Sequence, residues 1–98
     1  MAEVEHGPII TERILNEIRY PVAITELIRF LESGKLAQIT EEHRTAIGNY
    51  QSVEIDGETY FGNMKNGKGV SSVLYLAKQY GEAKVIAELK DIEKFLAG

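Results

Sequence analysis

The chain has 98 residues, 44% of them hydrophobic and 27% charged, with a formal net charge of −4 and no cysteine. Such a length and balance describe one globular domain with a single modest core rather than a disordered chain. The missing cysteine excludes disulfides, thiolate zinc sites and cysteine nucleophiles together.

Charge narrows the partner classes. Residues 1–50 carry 8 acidic side chains against 5 Lys/Arg, and residues 51–98 carry 7 against 6. Neither half offers the basic excess usual in nucleic-acid binders, so DNA binding would have to rest on a local patch. No apolar run approaches the ~20 residues that cross a bilayer, so no membrane partner is expected. Met1-Ala2-Glu3-Val4-Glu5 is acidic where a secretory signal would be basic, which points to the cytoplasm.

In chain order, residues 1–10 lack periodicity and read as a flexible tail, leaving 11–98 as the domain. Thr11 is placed as the cap of a first helix bearing Ile14, Leu15 and Ile18. Pro21 ends it, because the residue before a proline avoids helical geometry. A second helix carries Ile24, Leu27, Ile28 and Leu31 on one stripe, with Phe30 beside it and Gly34 past its end as a left-handed cap. Thr40-Glu41-Glu42 opens a third helix, the threonine capping free amides and the glutamates suiting the positive end of the dipole. Gly48 closes it.

The strongest β signal follows. Ser52-Val53-Glu54-Ile55 and Thr59-Tyr60-Phe61 flank Asp56-Gly57, the dipeptide typical of a tight hairpin. Two registers fit. A two-residue loop sets Val53 against Tyr60 and Ile55 against Glu58. A three-residue loop sets Val53 against Thr59 and gathers Val53, Thr59 and Phe61 on one face. The second separates apolar from polar more cleanly and is the expected one; it turns Tyr60 outward with Glu54 and Glu58. Either demands positive φ near Gly57.

Gly62–Gly69 then reads as a glycine-rich basic loop, ahead of a fourth helix capped at Ser71 or Ser72 and marked by Val73, Leu76, Ala77 and Tyr80. Gly81 breaks that helix. A fifth repeats Val85, Leu89, Ile92 and Leu96 at 4-3-4 spacing, with Phe95 widening its apolar side. The expected core is Ile14, Leu15, Ile18, Leu27, Ile28, Leu31, Ile47, Val53, Phe61, Val73, Leu76, Ala77, Val85, Leu89, Ile92 and Leu96. The class is α+β, mainly helical: three helices, a hairpin and two further helices. Its element order is similar to that of a winged-helix domain. That resemblance implies Thr40–Gly48 as a recognition helix and Val53–Phe61 as the wing.

Candidate chemistry is sparse. Gly62-x-x-x-x-Gly67-Lys68 follows the phosphate-binding loop pattern until Gly69 replaces the magnesium-binding Ser or Thr, and no parallel sheet supports it. It reads as a connector. Leu76-Ala77-x-x-x-Gly81 is like the start of a helix-turn-helix, but Lys90 falls where an apolar contact belongs, so a plain helical hairpin is expected. His6 and His43, without cysteine or a carboxylate cluster, make no metal site, and no nucleophile or oxyanion motif accompanies them. The chain therefore reads as a non-catalytic protein-interaction or regulatory module without cofactor, such as a small inhibitor, adaptor or immunity-type protein. Tyr60, Lys65 and Lys68 are its expected partner-binding residues. The alternative is a winged-helix DNA-binding regulator contacting DNA through His43, Arg44, Thr45, Lys65 and Lys68. A dimer through the C-terminal helix is compatible with either.

Overall fold

The structure is a computed structural model that describes residues 14–16, 18, 21–62 and 67–97. The expected tail 1–10, the Thr11 cap, His6 and Lys65 lie outside the described residues, as does the Leu96 side chain. Residues 14–16 are helical, and the Ile18 amide donates to the Ile14 carbonyl at 2.8 Å. Helix α1 (Pro21–Glu32) begins on its proline, whose fixed φ suits the first helical position and whose missing N–H costs nothing there. Gly34, at φ +77, ends it as expected. A single 3₁₀ turn, Leu36–Gln38, leads to α2 (Glu41–Gly48). Strands β1 (Val53–Ile55) and β2 (Glu58–Tyr60) form the hairpin, followed by α3 (Gly67–Tyr80) and α4 (Glu82–Ala97).

The helices pack in pairs: α1 on α4, α2 on α3, and α3 on α4. Thr25 donates to Glu93 at 2.9 Å and Lys90 pairs with Glu32 at 2.6 Å, so α1 and α4 run antiparallel. The fifth helix expected from the sequence is therefore part of the core, burying Val85, Leu89 and Ile92. Gly81 alone joins α3 to α4, at φ +104, with its amide on the Ala77 carbonyl at 2.9 Å. The mainly helical α+β class and the order of elements agree with the reading of the sequence.

Three expectations are overturned. The hairpin takes the two-residue register, Val53↔Tyr60, Glu54↔Thr59 and Ile55↔Glu58. Asp56 (φ +54) and Gly57 (φ +80) both adopt the left-handed conformation of a type I′ turn, whose twist matches the strands. Val53, Ile55 and Tyr60 thus face inward. Phe61 should then point out, but its own φ of +63 breaks the alternation and returns it to the core, fully buried. A bulky residue in that region costs about 1–3 kcal/mol, offset here by burying two aromatic rings in succession.

The second correction concerns α3. It starts at Gly67, four residues before the expected serine caps, so the "basic loop" is partly helix. Gly67 and Gly69 are buried because the first turn presses on α2. A Cβ at Gly67 would collide with the Ile47 carbonyl oxygen and crowd the Tyr50 ring. Third, Leu15 is 37% exposed, being rotated off the face of Ile14 and Ile18. The other expected core residues that are described are buried. Ala23, Ile24, Phe30, Leu36, Ile39, Ile55, Tyr60, Val70 and Leu74 join them. Phe30 is central: its ring meets Tyr60 edge-on at 4.9 Å and Phe61 at 5.3 Å.

Candidate functional site

The expected anchor, Tyr60, is not on the surface. Its residue is 2% exposed, wedged between Phe30 and a lid of charged side chains. The Arg29 guanidinium lies 4.5 Å from the ring centroid, and Lys35 Nζ donates to the Tyr60 hydroxyl at 3.2 Å. The same arginine grips Glu26 through two hydrogen bonds of 2.9 Å and donates to the Thr59 carbonyl at 3.1 Å. Glu58 accepts a longer bond from it, at 3.3 Å. Glu26 in turn accepts the Phe61 amide at 2.9 Å. Gln38 also donates to Asp56 at the hairpin tip, at 3.0 Å. These contacts satisfy the Thr59 carbonyl of β2 and the Phe61 amide just past it, and clamp the hairpin to α1.

The clamp tunes its own charges. Burial pushes the Glu26 carboxyl up, but the hydrogen bonds from Arg29 and the Phe61 amide, with the arginine's charge, hold it below the ordinary carboxylate value. The Glu26 hydrogen bond raises the Arg29 guanidinium further above its already high value. The bond to Tyr60 likewise raises Lys35. Arg29, Glu26 and the Tyr60 hydroxyl are thereby engaged in holding the hairpin.

In the alternative DNA-contacting set, one member, His43, is committed to the fold. His43 closes a capping box: Thr40 Oγ1 accepts the His43 amide, and His43 Nδ1 accepts the Thr40 amide, both at 3.1 Å. Thr45 is exposed, but it lines a depression with Glu41 and Glu42. Lys68 is exposed on the first turn of α3. Among the described residues, no group of three or more His, Cys, Asp or Glu could hold a metal, and no helix is long and apolar enough to cross a membrane.

Arg44 is placed differently. It reaches from α2 across to Tyr75 on α3, its guanidinium 5.4 Å from the ring centroid. Its nearest carboxylate, Glu41, is 3.7 Å away, a loose contact on a largely solvated side chain. With Ile39, Thr40, Lys78 and Gln79 they line an open groove of about 460 Å³. Lys78 Nζ donates to the Ile39 carbonyl at 2.6 Å, which fixes one ammonium in the floor with further N–H donors to spare. Tyr75 is 51% exposed. The groove therefore presents an aromatic face, two cations and one carboxylate to solvent. A signal for it existed in the sequence: Tyr75, Lys78 and Gln79 stand at i, i+3 and i+4, off the stripe of Val73, Leu76 and Ala77. Arg44 could not be joined to them before α2 and α3 were packed. Compared with known proteins, the chain matches no family model, no curated protein and no solved structure.

Proposed function

We propose that this chain is a non-catalytic protein-interaction module of the inhibitor, adaptor or immunity type, acting in the cytoplasm through the groove between α2 and α3. The observation that carries the reading is Tyr75, half exposed, with Arg44 over its ring and Lys78 beside it. Tyrosine and arginine are the side chains that most often dominate binding energy, and a tyrosine ring loses little entropy when covered. Two cations within a chain of net charge −4 make the groove a local positive spot, suited to an acidic segment of the partner.

The competing reading, a winged-helix DNA-binding regulator, keeps the element order and the exposed Lys68 in its favour. Its recognition helix begins with Glu41 and Glu42, which would face phosphates, and His43 already spends one ring nitrogen on the cap.

The test is affinity capture from the native host's extract, with and without nuclease, using the wild-type chain beside Tyr75→Ala and Arg44→Ala. A protein retained by the wild type after nuclease and lost with both variants supports the interaction module. Capture that depends on intact nucleic acid, or that ignores both substitutions, overturns it.

A further inference from the structure

Between α4 and the helical residues 14–16 that precede α1 lies a small cleft of about 240 Å³ lined by Leu15, Asp91, Ile92 and Phe95. Phe95 is 75% exposed, the most exposed of the large hydrophobic residues described, and Leu15 is 37% exposed. The cleft has room for one aromatic ring, since an apolar cavity of about 150 Å³ already accepts benzene.

We infer that this surface is the interface of a two-fold dimer, in which Phe95 of each copy enters the Leu15–Ile92 cleft of the other. A two-fold contact must be self-complementary, with the same patch supplying both the projection and the hollow. Here Phe95 stands out from the wall of the very cleft it would fill in a second copy. The charges obey the same rule. Asp91 lies on the rim, and Lys94 is exposed immediately before Phe95. Antiparallel approach of two α4 helices brings Lys94 of each copy to Asp91 of the other, so two ion pairs form around two buried rings. The groove of α2 and α3 takes no part, so the dimer stands or falls independently of the proposed function.

The contact is small, and small interfaces associate weakly. Sedimentation equilibrium on the full chain should show the mass rising from 11.0 kDa toward twice that value as concentration increases. The rise should fall between about 10 and about 500 μM, as expected of a weak interface. Phe95→Asp should stay monomeric with an unchanged thermal melt, because its ring touches little of the core. Asp91→Lys and Lys94→Asp should each weaken association at least several-fold, and the two together should restore it. A wild-type chain that remains at 11.0 kDa throughout overturns the inference, whether the cleft is then empty or covered by another part of the same chain. So does a Phe95→Asp variant that dimerises normally, or a double swap that rescues nothing.

Discussion

Among the described residues there are two arginine–tyrosine pairs, and they do opposite things. Arg29 over Tyr60 is closed: the ring is buried, its hydroxyl is taken by Lys35, and the guanidinium is spent on Glu26, Glu58 and the Thr59 carbonyl. Arg44 over Tyr75 is open: the ring is half exposed, the cation sits at 5.4 Å rather than 4.5 Å, and its one carboxylate is at 3.7 Å. The side-chain chemistry is the same. The number of further partners separates the two pairs: Arg29 directs four of its five N–H donors into bonds that hold the hairpin, and each donor so engaged is one fewer for a ligand.

Substitutions can break this contrast in order of size. Tyr60→Ala removes a buried ring from the Phe30–Phe61 cluster and should lower stability by about 3–5 kcal/mol, the range for large aromatic truncations. Denaturant unfolding measures it, and a loss under about 1 kcal/mol would mean the clamp is ornamental. Glu26→Gln keeps the shape but loses the charge that Arg29 and the Phe61 amide share, and should cost about 1–3 kcal/mol at neutral pH.

The same substitution carries a pH signature. The folded Glu26 carboxyl titrates below the unfolded value of 4.5. Its contribution is therefore complete above that value and disappears as pH falls through the lower, folded one. Stability curves of wild type and Glu26→Gln should converge as the pH drops below 4.5. Parallel curves down to the acid transition would deny Glu26 its role.

Gly57→Val places a β-branched residue at φ +80 in the hairpin turn and should cost on the order of 1 kcal/mol or more. An unchanged melting temperature would show that the turn does not constrain the hairpin the clamp holds. Tyr75→Ala should be the mildest, shifting stability by no more than about 0.5 kcal/mol, as surface changes do. Its effect belongs to binding. If Tyr75→Ala unfolded the chain as Tyr60→Ala does, the open pair would be structural too.

Much of this architecture was written locally. Pro21 at the start of α1, Gly34 and Gly81 past helix ends, Thr40 at the cap and Asp56-Gly57 in the turn each impose a backbone conformation on their own neighbourhood. The apolar stripes of Leu27, Ile28, Leu31, Val85, Leu89 and Ile92 state which helix faces turn inward. Such features need no knowledge of the rest of the chain, so the element order and most of the core could be read from them. What only the tertiary structure decided depends on groups far apart in sequence. The hairpin register was ambiguous because tyrosine suits either face; Phe30 and Arg29, about thirty residues earlier, supplied the slot and lid that drew Tyr60 in. Phe61 is expected in the core from a register the hairpin does not take; in the observed register only its left-handed backbone brings it there. The close seating of the first turn of α3 on α2 needs a glycine at position 67, where a Cβ would collide with the Ile47 carbonyl. The open pair itself exists only because α2 packs on α3, bringing Arg44 to Tyr75 across thirty-one positions of chain.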